Sequence, residues 1–212
     1  MISAAFVFPH PPVILPEIGR GREAEVQKTV DSCNECAKEI ARLKPDAIVL
    51  SSPHYVEGSR ELDHGAYVPL AFVNKYYTDY KLSCLGLLDS SLEDSYKLGK
   101  SIASKAAASG ENTVFIASGD LSHRLKPDGP YGFAEEGPLF DKAVTAILAG
   151  GRLRELMTID PALAYKAGEC GLRSFIIMAG ALDGKNITPR LLSYEGNFGV
   201  GYAVASFYVN KE

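Results

Sequence analysis

Only four histidines occur in the 212 residues, and three of them recur in one kind of place. His10 stands in "VFPHPP", just past the apolar run Ser3–Phe8. His54 stands in "SSPHY", just past Ala47–Ser52, and His123 stands in "SGDLSH", just past "TVFIAS". Short apolar runs bounded by turn residues read as buried strands. Three imidazoles therefore emerge beyond the carboxyl ends of three predicted strands, the edge where open α/β sheets bind ligands. His64, in "LDHGAYVPL", reads as a loop residue ahead of a further strand. A single loop histidine is ordinarily a surface group. The repetition at three strand ends is what argues for a site.

Gathered imidazoles suit a transition metal, because the neutral ring is a ligand for zinc, iron, copper and nickel. Two histidines and one carboxylate leave positions open, the arrangement of non-haem Fe(II) oxygenases. Histidines left over serve as acid and base, since their ordinary pKa lies near neutrality. Asp63 and Asp120 adjoin histidines, and Glu169 in "YKAGECGLRSF" opens a predicted helix. Local chemistry leaves Asp120 and Glu169 level as the carboxylate. Cys33 and Cys36 form a CxxC, but Val26, Val30, Cys33, Ala37 and Ile40 recur at helical spacing. That places the pair in the middle of a helix, away from the helix start that lowers a thiol's pKa, and reads as core packing.

The elements that must hold these residues alternate. Helices are expected from about Arg22 to Lys44, stopped by Pro45, and from a Ser90 or Ser91 cap to Ala108. Others fall within "GPLFDKAVTAILAGG", near Pro161–Lys166 and over Gly171–Leu182. Strands are expected at Ser3–Phe8, Ala47–Ser52, "YVPLAFVN", Lys81–Leu88 and Thr113–Asp120, with two more in the last 26 residues. This order predicts an α/β fold, with a central mixed sheet and helices on both faces. No linker or repeat interrupts it, so one domain over 1–212 is expected, with room for a longer natural polypeptide.

Hydrophobic residues make up 46% and charged residues 23%, with a net charge of −4. That balance lacks the basic stripe of a nucleic-acid surface. No apolar run approaches a membrane span. No secretory leader is recognisable, so the four cysteines are expected reduced in the cytoplasm.

The segments "PHPP", "SSPHY", "LDHGAYVPL", "SGDLSH" and "GECGLRSFIIMAGAL", in this order, resemble the class III extradiol dioxygenases, the catalytic LigB-like subunit superfamily. The resemblance spans residues 9 to 182. It is nearest to short members related to Memo and to proteins associated with AMMECR1-type domains. It implies Fe(II), with zinc or copper as alternatives, held by His10, His54 and Glu169. It implies His123 as the acid/base, and His64 as the pocket residue that orients substrate or oxygen. The activity implied is ring cleavage of a catecholic substrate by O₂. A Memo-like redox or binding protein and a zinc hydrolase are the alternatives. Cys170, which follows Glu169, stands where the Memo branch uses a cysteine, so residue 169 or 170 is left open as the third ligand. A small aromatic diol, an AMMECR1-type domain, separate or fused, and a second copy of the chain are the expected partners.

Overall fold

The computed structural model describes residues 1–56, 59, 61–87 and 91–210. Six strands form one sheet: β1 (Ile2–Phe8), β2 (Ala47–Ser52), β3 (Lys81–Gly86), β4 (Thr113–Ser118), β5 (Ile187–Glu195) and β6 (Tyr202–Val209), in the order β3-β2-β4-β1-β6-β5. The first four run parallel, and β6 is antiparallel to both β1 and β5, so the sheet is mixed as expected. Phe8 pairs with Ser118 and Ser51 with Ala117, so β1, β4 and β2 end level along one edge. His10, His54 and Asp120 each lie two residues beyond those ends.

Strand side chains alternate between two cores. Ala5, Val7, Phe115 and Ala117 face one, with the apolar faces of α4 (Leu92–Ser109), α5 (Glu136–Gly150), α6 (Pro161–Ala167) and α7 (Leu172–Ala181). Ala4, Phe6, Phe8, Val114 and Ile116 face the other, with α2 (Gln27–Leu43) and α3 (His64–Asn74). A short helix, α1 (Pro16–Gly19), and a 3-10 turn over Arg22–Val26 connect β1 to α2. Parallel strands covered on both faces need continuous apolar runs, which is why β1 and β4 are almost wholly buried.

Three expectations change. "YVPLAFVN", Tyr67–Asn74, is helix α3 rather than a strand, and His64 is its first residue rather than a loop residue. A continuous apolar run does not separate a buried helix from a buried strand. Here seven of the helix's eleven residues are buried, and its outward stripe includes Tyr67 and Ala71, too little polarity to betray the period. Asp63 supplies the missing start signal, since its side chain accepts the N–H groups of Gly65 and Ala66. The helix expected from Arg22 begins at Gln27, and it ends at Lys44 in a left-handed conformation (φ 45°) before Pro45. Strand β3 ends at Gly86; Leu88 and Ser90 lie outside the described residues, and Ser91 is the cap of α4. Cys33 and Cys36 are fully buried and burial raises both thiol pKa values, in line with a core role.

Helices α4 and α7 pack through a pair of glycines. A Cβ at Gly99 would meet the Ile177 carbonyl, and one at Gly180 the Tyr96 carbonyl, both backbone atoms that cannot swing aside. Gly99→Ala should therefore cost about 1–3 kcal/mol through overpacking. The midpoint of urea unfolding should fall with an unchanged slope; an unchanged midpoint would refute this packing.

Candidate metal centre and its relatives

His10 reaches the sheet edge along two buried contacts. Its backbone N–H donates to Asp120 Oδ1 at 2.9 Å, tying the end of β1 to the end of β4. Its Nδ1 lies 2.9 Å from Ser118 Oγ, which itself donates to the Gly65 carbonyl in α3. The hydroxyl has one hydrogen, and that carbonyl can only accept. Ser118 must therefore receive the Nδ1 hydrogen, which leaves the His10 Nε2 lone pair unprotonated. The Gly65 carbonyl is free for this because its usual helical donor would be the N–H four residues on, and that residue is Pro69. Burial, reinforced by His64, lowers the His10 pKa to about 3, so the ring is neutral at neutral pH.

Ser52, the last residue of β2, positions the second histidine. Its hydroxyl accepts the His54 N–H at 3.2 Å and donates to Asp63 Oδ1 at 2.8 Å. That carboxylate also caps α3, so His54 and His64 are fixed by the same group. Their rings stack at 4.3 Å, and His10 meets both edge-on at 5.1 and 5.2 Å. Burial, followed by His10 and His64, lowers the His54 pKa.

The α7 side closes the cluster. Gly119 and Gly171 touch backbone to backbone, an approach a Cβ would block. The Asp120 carbonyl accepts the Gly171 N–H at 3.0 Å, and the Asp120 N–H donates to Cys170 Sγ at 3.3 Å. Cys170 Sγ is then 3.6 Å from His10 Nε2. His10, His54 and Cys170 each offer one donor atom, all within 4.8 Å of one another. Glu169 is not in that group: its carboxylate accepts the Leu172 N–H at 2.6 Å, where α7 begins. Burial raises the Glu169 pKa to about 7 and raises that of the Cys170 thiol.

His123 follows β4 on a segment held by Ser122. The Ser122 N–H donates to Asp141 Oδ1 at 2.7 Å, its hydroxyl to the Ala167 carbonyl at 2.9 Å, and the His123 N–H to the same carbonyl at 3.1 Å. Tyr131 stacks on the His123 ring at 5.1 Å. His123 Nε2 is buried with no hydrogen-bond partner among the described residues, and so is Asp63 Oδ2. Burial lowers the His123 pKa, and burial raises that of Asp120 to about 6. His10, His54, His64, Asp120, His123 and Tyr131 line one cavity of about 360 Å³.

All four histidines line one cavity, three of them carried there from strand ends and His64 from the start of α3. Sequence reasoning missed Ser118 and Tyr131. Ser118 is an ordinary last strand residue, and Tyr131 lies in a turn-rich stretch, "KPDGPYGF", whose direction no periodicity reveals.

A family profile described as "Catalytic LigB subunit of aromatic ring-opening dioxygenase" matches residues 56–205. The chain belongs to the LigB family. The matched span holds His64, His123, Glu169 and Cys170, whereas His10 and His54 precede it. Protein CA_C1420 of Clostridium acetobutylicum is 34% identical over 96% of the chain, and the chain spans only 57% of that protein's length. The crystal structure of uncharacterized protein JW3007 from Escherichia coli K12 shares the fold, with a TM-score of 0.65 and 12% identity over 96% of this chain and 99% of that one. Among the described residues, no helix of this LigB protein is long and apolar enough to cross a membrane.

Ser118→Ala would leave the His10 Nδ1 hydrogen without its acceptor. Long-range proton–nitrogen NMR should find Nδ1 protonated in the parent protein and a mixed tautomer in the variant. Unfolding should show a loss of about 1–3 kcal/mol. An unchanged tautomer would contradict the relay.

Proposed function

We propose that this LigB-family protein is a metal-dependent ring-opening dioxygenase that takes a catecholic substrate and O₂. The observation that carries the reading is a metal-donor triad, His10, His54 and Cys170, whose two imidazoles line the same cavity as His123, an imidazole with a buried, unpartnered nitrogen. His10 and His54 would hold Fe(II), with Cys170 as third donor and Glu169 as the cap of α7. The donor set fits a divalent ion, because the imidazoles are neutral and a cation would draw the proton from the Cys170 thiol. Bound there, Fe(II) would supply a redox-active centre at which the diol and O₂ meet.

The chain's own groups would do the rest. His123 would take a hydroxyl proton at its unpartnered ring nitrogen and later return it, a role that ordinarily contributes 10²–10⁴-fold. Tyr131 would keep that ring in one plane. His64, held through Asp63 at the start of α3, would donate a hydrogen bond where negative charge develops on oxygen.

A second reading rests on Cys170. With a thiol rather than a carboxylate completing the triad, a softer ion such as copper or zinc gains affinity. The protein would then be a Memo-like redox or binding protein. The length of the Clostridium relative beyond the match supports a companion domain, for which an AMMECR1-type domain is the candidate.

Anaerobic purification with metal analysis, followed by O₂ uptake on adding catechol, tests the assignment. Stoichiometric iron with uptake is expected. Iron or copper without turnover favours the second reading, and zinc with ester hydrolysis overturns both. His10→Ala and His54→Ala should lose the ion. Cys170→Ala should weaken its binding more than Glu169→Ala. His123→Ala should keep it and cut turnover about 10²–10⁴-fold. Full occupancy in His10→Ala would refute the site.

A further inference from the structure

We propose that the sheet edge holds a second cation position, made by Asp120, His123 and Cys170, with the Cys170 thiol shared with the first. It would take a borderline-soft divalent ion, Zn²⁺ above all, and would occupy the imidazole that the proposed reaction needs.

Donor atoms of these three residues also lie within 4.8 Å of one another, a second triad distinct from His10 and His54 except for the shared thiol. Each member has donor capacity to spare. Asp120 Oδ1 is taken by the His10 N–H at 2.9 Å, whereas Oδ2 lies 4.0 Å from His10 Nε2. His123 Nε2 is buried and unpartnered among the described residues. Cys170 Sγ faces both triads, accepting the Asp120 N–H at 3.3 Å and lying 3.6 Å from His10 Nε2. The 4.0 and 3.6 Å distances bring the Asp120 and Cys170 donors up to His10, so one thiolate would serve both positions.

Carboxylate oxygen, imidazole nitrogen and thiolate sulfur are the three donor types that zinc accepts, and a water would complete a tetrahedron. The backbone already holds each residue. The Asp120 N–H donates to Cys170 Sγ and the Asp120 carbonyl accepts the Cys170 N–H, while His123 is held by the Ala167 carbonyl and by stacking on Tyr131. Filling the position releases the Cys170 thiol proton unless the first ion has already done so. It also ties up a ring nitrogen of His123. Resting on the dioxygenase reading, this makes excess zinc an inhibitor that acts without displacing the first ion. The cation position itself stands independently of that reading.

Zinc titration of chelator-treated protein, scored by bound metal per chain and by a competing colour indicator, tests the proposal. The parent protein should bind two equivalents, the second more weakly. His123→Ala and Asp120→Asn should each bind one, and the asparagine keeps an oxygen for the His10 N–H should the alanine perturb folding. One equivalent in the parent protein, or two in both variants, would overturn it. Two zinc equivalents together with no O₂ uptake from catechol by the iron-loaded protein before any zinc is added would sink only the dioxygenase reading. Uptake with a single equivalent would sink only the second position.

Discussion

The hydroxyl of Ser118 is the pivot of this molecule. It receives a hydrogen from His10 and gives one to the Gly65 carbonyl, so one side chain joins β1, β4 and α3. Inside a protein, an unmatched donor or acceptor costs more than a bond gains, which makes this chain of contacts all-or-none. Pro69 belongs to it, because its lack of an N–H leaves the Gly65 carbonyl without its helical donor. A proline that looks misplaced in a helix thereby helps set which nitrogen of His10 faces the pocket.

The same economy runs along the edge. Ser52 serves His54 and Asp63 together, and Asp120 serves His10 with one carboxylate oxygen and Gly171 with its carbonyl. Hydrogen bonds of this kind would orient candidate metal ligands before any ion arrives. The polar groups sit where three parallel strands end level, so the sheet's register, fixed by the two apolar cores, sets the spacing of the histidines.

Much of this was legible in the residues. The runs before His10, His54 and His123 are apolar enough to be buried strands, and buried parallel strands must share an edge. The failure at Tyr67–Asn74 has a clear cause: the helix's outward stripe passes through Tyr67 and Ala71, which are not polar enough to show an amphipathic period, and Asp63 marks its start. The choice between residues 169 and 170 was illegible for another reason. Glu169 and Cys170 are neighbours in sequence, and that the Cys170 sulfur joins the histidine donors while the Glu169 carboxylate accepts the Leu172 N–H is a matter of tertiary placement. Tyr131 was hidden likewise, since its stacking on His123 joins a loop to a strand end.

In the proposed centre, two imidazoles and the Cys170 sulfur would bind one ion at the edge of the sheet. X-ray absorption at the zinc edge, on protein loaded with a single equivalent, tests it most directly. One sulfur at about 2.3 Å and two imidazole nitrogens at about 2.0–2.1 Å are expected. A shell of nitrogen and oxygen alone, with no sulfur, would contradict it.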